Sequence, residues 1–257
     1  MINHAGAPDT PVQPELLVTV EHDGSVTRLR LNRPSAGNAL NGTLLEALLE
    51  ALTSVRRRDE TRVIVLSGTG TRFCAGVDMA EFKAAAAVDR SGKRIRHLLN
   101  LGREVCREIS NPDTIMIAQI HGDVVGAGLA LALHCDLRVS SDTATFRLPE
   151  LILGFPPVWS GTSARLIHEI GAPRLREMIL FGDRIDAATA YSYGIAHHVA
   201  PEGELEAVAR RWGHRLSRRD ETATRAALRL FAAAENVSRL GDITAFEDNL
   251  FQSSLSS

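Results

Sequence analysis

Short unbroken apolar runs, each closed by a turn and followed by residues at helical spacing, recur along this chain and constrain its fold more tightly than any other feature. Val63 to Leu66 ends in Ser67-Gly68-Thr69-Gly70, Thr114 to Ile120 ends in His121-Gly122-Asp123, and Leu137 to Ser140 leads into a short run at Ala144 to Leu148. Of these, Val63 to Leu66 and Thr114 to Ile120 read as strands buried on both faces, and Leu137 to Ser140 and Ala144 to Leu148 as further short strands. Between them, Leu44, Leu45, Leu48 and Leu52 share one face of a helix that opens at Asn41-Gly42-Thr43 and closes on the basic run Arg56 to Arg58, which suits a helix C-terminus. Helical spacing returns over Ile95 to Ile109 until Pro112 breaks it, and again from the Gly-Ala-rich segment through Leu133 and beyond Ser160. Strands alternating with helices predict an α/β core.

Two further segments frame that core. Leu16 to Val20 and Val26 to Leu31 flank His22-Asp23-Gly24-Ser25, and the Asp-Gly pair predicts a hairpin. From Asp186 onward the pattern is almost wholly helical, with helices expected near Ala187 to Tyr193, Leu205 to Leu216, Glu221 to Glu235 and Asp242 to Phe251. With no low-complexity linker, this region is expected to pack on the core or on a neighbouring subunit. The organisation read from the sequence is a frayed tail over 1–14, a core with the functional site over 15–200 and a helical region over 201–257.

Composition excludes several classes of function. A chain of 257 residues, 44% hydrophobic and 23% charged, folds as an ordinary globular protein. A formal net charge of -2 with mixed signs provides no footprint for nucleic acid or an anionic membrane. Cys74, Cys106 and Cys135 are too widely spaced for a disulfide framework or a zinc site, so a reducing cytoplasmic location is expected. The stretch from Met1 to Pro14 lacks the basic-then-apolar order of a signal peptide, and the longest apolar run, Val124 to Leu133, is too short to cross a bilayer.

Other catalytic motifs are incomplete. Gly68-Thr69-Gly70 and Gly126-Ala127-Gly128 follow strands but lack the third glycine of a dinucleotide-binding turn. Ser160-Gly161 lacks the preceding glycine of a nucleophile elbow, and Cys74 has no evident base beside it. No two histidines have the spacing of a helical metal site, so no metal is expected.

Three segments carry the chemistry: Phe73-Cys74-Ala75-Gly76-Val77-Asp78-Met79, His121-Gly122-Asp123-Val124-Val125-Gly126-Ala127-Gly128, and Leu148-Pro149-Glu150-Leu151 through Leu153-Gly154. Together with Leu31-Asn32-Arg33-Pro34, Asn38-Ala39-Leu40 and Phe181-Gly182-Asp183-Arg184-Ile185, they resemble the crotonase (enoyl-CoA hydratase/isomerase) superfamily in order over about residues 15 to 202. That resemblance implies a spiral of ββα repeats with a C-terminal helical trimerisation region, and assembly as a homotrimer or dimer of trimers. It implies an acyl-CoA or acyl-pantetheine substrate and no separate cofactor.

By the same resemblance, the main-chain N–H groups of Ala75 and Ala127 are expected to hold the oxygen of a thioester enolate. Preorganised donors of this kind are worth about 3 kcal/mol each in the transition state. Cys74, Gly76, Asp78, Gly126, Gly128, Phe155 and Trp159 are expected to surround the substrate, with Arg33 or Arg72 as candidates for its phosphates. Glu150 stands among Leu148, Pro149, Leu151 and Ile152, an apolar setting that suits a carboxyl acting as acid and base near neutral pH. Hydratases of the family with two catalytic glutamates carry one at the position held here by Ala130. A single carboxylate can move a proton between C2 and C4 of an enoyl thioester, so double-bond isomerisation is the expected reaction. The alternatives are hydration with Asp123 or His134 as second group, decarboxylation of a malonyl-type thioester, a carbon–carbon bond-forming reaction, or a catalytically silent acyl-CoA-binding homologue.

Overall fold

The structure, a computed structural model, describes residues 16–89, 91–157 and 159–238. The expected tail over 1–14 and the expected helix from Asp242 to Phe251 lie outside the described residues.

Strands β1 (Val18–Asp23) and β2 (Val26–Leu31) form the expected antiparallel hairpin, with Asp23 paired to Val26 across the Gly24 turn. Helix α1 (Gly42–Arg56) follows; the Asn41 side chain accepts a hydrogen bond from the N–H of Leu44 and so satisfies one of the free amides of the first turn. Next come β3 (Val63–Gly68), α2 (Met79–Val88) and α3 (Lys93–Ile109). The sequence pattern had provided no separate expectation for α2, whose Ala-rich stretch carries little periodic signal.

The middle of the chain alternates between two sheets. Strand β4 (Ile115–Ile120) is followed by β5 (Asp123–Val125) and helix α4 (Ala127–Leu133); β6 (Leu137–Ser141) is followed by β7 (Thr145–Arg147) and helix α5 (Thr162–Ile170). The remainder runs through α6 (Ala172–Phe181), β8 (Ile185–Asp186), α7 (Ala187–Tyr193), β9 (His198–Ala200), α8 (Leu205–Ser217) and α9 (Glu221–Ser238). The larger sheet has the order β1-β2-β3-β4-β6-β9 and the smaller one β5-β7-β8. Two single bridges, Leu40 to Val77 and Cys74 to Val124, continue the second ladder back to the earlier turns of chain. Each turn of the spiral thus adds a strand to each sheet before its helix, the ββα repeat expected above. Strands β5, β8 and β9 had no counterpart in the sequence pattern, and β9 interrupts the region expected to be almost wholly helical.

The apolar runs read as strands because both faces are buried. Leu29, Ile64, Leu66, Met116, Ala118 and Ile120 face the main core with α1, α3 and α4. Their neighbours Val63, Val65, Ile115, Ile117 and Val139 face a second core closed by Leu205, Val208 and Ala209 of α8. Each such side chain taken from water contributes about 1.5–3 kcal/mol. Because α8 seals one face of the sheet, the helical region shares the core rather than standing apart from it. None of the described helices is long and apolar enough to cross a membrane.

Candidate active site

Where the segment after β3 meets the start of α4, a cleft encloses about 630 Å³ including its open mouth. Ala75, Gly76, Val77, Gly126, Ala127 and Glu150 line its polar end. Met79, Phe82, Leu99, Phe155 and Trp159 line its apolar end.

The backbone at the polar end is set by hydrogen bonds from several parts of the chain. Leu40 donates its N–H to the carbonyl of Gly76 at 2.8 Å and accepts from the N–H of Asp78 at 2.9 Å. In an extended segment, alternate residues turn their amides to opposite sides, so the N–H of Val77 points away from Leu40 and into the cleft. Val77 N–H has no partner among the described residues. Facing it, the amide of Ala127 begins α4 and is one of the helix's free first-turn donors. A Cβ built on Gly76 would lie 3.8 Å from that amide nitrogen, which shows how closely the two segments approach.

One sequence expectation changes here. Ala75 does border the cleft, but its N–H is bonded to the carbonyl of Gly37 at 2.9 Å and is already in use. The available donor on this segment is two residues further on, at Val77. The bond to Gly37, made between segments distant in sequence, is what moves the donor from Ala75 to Val77.

Glu150 follows β7 on a turn held by bonds from the N–H groups of Leu153 and Phe155 to its carbonyl, at 3.1 and 2.9 Å. Its side chain reaches Gly126: a Cβ at that position would sit 2.9 Å from Oε1 of Glu150. Gly126 also adopts φ 50 and ψ -114, a conformation open to glycine alone. Oε2 of Glu150 is buried with no hydrogen-bond partner among the described residues. Burial pushes the carboxyl up to about 7, against a smaller opposing effect from its own main-chain N–H. The group therefore gives and takes a proton with nearly equal ease at neutral pH. Among the described residues lining the cleft, Glu150 is the one acid or base.

Several expected site residues have other roles. Cys74 is fully buried in the core, where its Sγ–H donates to the carbonyl of Asn38 at 3.2 Å and burial pushes the thiol up to about 12. Gly128 packs against Cys74, whose carbonyl oxygen would lie 2.5 Å from an added Cβ, so this glycine joins two elements and does not border the cleft. Asp78 caps α2 through the N–H groups of Ala80 and Glu81 and pairs with Arg33 at 2.7 Å. Arg33 also donates to the carbonyl of Ala39. Arg72, half-exposed and 3.3 Å from Asp123, is the freer of the two cations considered for a phosphate.

Neither proposed second acid reaches the cleft. Asp123 accepts from the hydroxyl of Thr145 at 2.7 Å and faces Arg72 and Arg184. His134, at the end of α4, is buried with Nδ1 2.7 Å from the Ser110 hydroxyl and Nε2 3.3 Å from the Ser160 carbonyl. Ala130 is fully buried inside α4. Among the described residues no three His, Cys, Asp or Glu side chains gather as a metal site would require. Of the residues that complete the apolar wall, Met79 closes the first motif, Leu99 lies in the expected helical pattern over Ile95 to Ile109, and Phe82 had no signal in the sequence.

Comparison with known proteins places this geometry in context. The family model described as enoyl-CoA hydratase/isomerase matches residues 21–257. The chain is 31% identical over 227 residues to a crotonyl-CoA hydratase of Syntrophomonas wolfei, covering 88% of this chain and 84% of that one. It is 31% identical over 189 residues to a short-chain-enoyl-CoA hydratase of Clostridium acetobutylicum, covering 73% and 70%. Among solved structures, an enoyl-CoA hydratase of Bacillus anthracis superposes with a TM-score of 0.80 at 28% identity, over 93% of this chain and 90% of that one. An enoyl-CoA hydratase/isomerase of Mycobacterium paratuberculosis shares the fold at a TM-score of 0.84 and 22% identity, over 95% of each chain. A doubly laddered spiral with facing free amides and a buried carboxyl, matched along nearly its whole length, makes this chain a member of the enoyl-CoA hydratase/isomerase, or crotonase, superfamily.

Proposed function

We propose that the protein moves the double bond of an enoyl-CoA thioester, with Glu150 as the only proton-transfer group and the amides of Val77 and Ala127 as the oxyanion hole. The observation that carries this reading is that, among the described residues, Glu150 is the sole titratable side chain lining the cleft, beside the Ala127 segment, while Ala130 leaves no place on α4 for a second carboxylate. With the thioester oxygen held by the two amides, the Glu150 carboxylate removes a proton from C2 of a 3-enoyl thioester. The electrons pass through the carbonyl to give a dienolate, whose oxygen charge the amides stabilise. The protonated Glu150 then delivers the same proton to C4, leaving the 2-enoyl product and the starting carboxylate. A carboxyl poised near neutral pH suits both halves of the shuttle.

Hydration is the second reading, favoured by the names of the relatives, which include a crotonyl-CoA hydratase. It requires one carboxyl both to activate water and to return a proton to C2. Incubation of the protein with a 3-enoyl-CoA, a 2-enoyl-CoA and a malonyl-type thioester, with chromatographic separation of products, distinguishes the readings. Isomerisation predicts conversion of the 3-enoyl to the 2-enoyl thioester; accumulation of 3-hydroxyacyl-CoA would transfer the assignment to hydration. Loss of carbon dioxide from the third substrate would assign decarboxylation, and binding without turnover would indicate a silent homologue.

A further inference from the structure

The apolar end of the cleft grades from open to closed. Leu153, near Glu150, is 51% exposed, whereas Phe82, Leu99 and Trp159 are 4%, 4% and 8% exposed and form the inner end. Trp159 determines where that end falls. Its ring centroid lies 6.3 Å from that of Phe82 at an interplanar angle of 51°. Its far edge is set into α3 at Gly102: a Cβ there would come within 2.3 Å of Cζ2 and 2.8 Å of Cη2 of the indole. The absence of a side chain at Gly102 is therefore what lets the indole lie across the cleft. The residue is also fastened through its main chain, which accepts from both the N–H and the hydroxyl of Thr162.

We propose that Trp159 is the specificity-determining end wall of the acyl site and restricts the enzyme to short acyl chains, an inference that rests on the acyl-CoA reading above. A chain that begins with its thioester between Val77 and Ala127 runs towards Phe82 and Leu99 and meets the indole face. Further methylenes can enter only by displacing a buried ring that packs against α3 on its other side. Forcing atoms into such a packed wall costs enough to weaken binding by about tenfold. Replacing the indole by a small side chain opens the space in front of Gly102, and each methylene buried there tightens binding about fourfold.

The test measures binding of butanoyl-CoA, octanoyl-CoA and free CoA by calorimetry, using saturated thioesters so that turnover plays no part. Wild type is expected to bind butanoyl-CoA at least about tenfold more tightly than octanoyl-CoA. Trp159→Val is expected to abolish or reverse that preference by tightening octanoyl-CoA relative to butanoyl-CoA at least about tenfold. Trp159→Phe, with its fold checked by circular dichroism, is expected to fall between the two and serves if the valine variant does not fold. Equal binding of the two thioesters by wild type, or an unchanged preference in folded variants, overturns the inference alone. Failure of wild type to bind any CoA thioester or free CoA overturns the acyl-CoA reading and this inference with it.

Discussion

The main-chain N–H of Ala75 is bonded to the carbonyl oxygen of Gly37 at 2.9 Å, so the donor that this segment can offer a substrate is the amide of Val77. The consequence can be measured by replacing single amides with esters, which removes one N–H and keeps the side chain. An ester at Val77 is expected to lower kcat/KM by about 100- to 1,000-fold, the value of one oxyanion donor. An ester at Ala75 is expected to leave kcat/KM nearly unchanged and to reduce stability by about 1 kcal/mol. The reverse pattern would restore Ala75 as the donor.

Glu150→Gln keeps the shape of the cleft and removes the proton acceptor. Turnover of an enoyl-CoA is expected to fall by about 100- to 10,000-fold, while the affinity for a saturated acyl-CoA stays within a few-fold. A variant as fast as wild type in a stopped-flow assay would rule out Glu150 as the base.

The pH dependence follows from the raised carboxyl. Catalysis needs the carboxylate, so kcat/KM is expected to rise with pH up to about 7 and then level off. Stability moves the other way. Between the ordinary value of 4.5 and about 7 the folded protein retains a proton that the unfolded chain has lost, so stability falls as pH rises through this window. The full effect is on the order of 3 kcal/mol. Glu150→Gln is expected to flatten this slope and to melt higher than wild type at pH 8; equal melting curves across the window would contradict the assigned shift.

Gly126→Ala tests the contact between the carboxyl and the start of α4. The added methyl meets Oε1 of Glu150 at 2.9 Å on a backbone with positive φ, so the carboxyl must move. The expected result is a loss of kcat of at least about tenfold together with a lower melting temperature by differential scanning calorimetry. Unchanged kcat would show that Glu150 tolerates displacement.

Much of the architecture is written in local chemistry. The Asp23-Gly24 turn, the helix start at Asn41 and the strand runs at Val63, Ile115 and Leu137 each depend on neighbours close in sequence, and each formed where expected. The order of motifs also indicated the superfamily and the apolar setting of Glu150. What the chain's order could not decide was which polar groups remain free once distant segments meet. Ala75 lost its availability to Gly37, His134 was taken up by Ser110 and Ser160, and Asp123 by Thr145 and Arg72. A backbone amide or a side chain carries the same chemistry in every sequence context, but a hydrogen bond formed in the folded state removes it from catalysis. Only the tertiary structure, by assigning those partners and by setting the Trp159 ring against Gly102, decided which groups face the substrate and how much room it has.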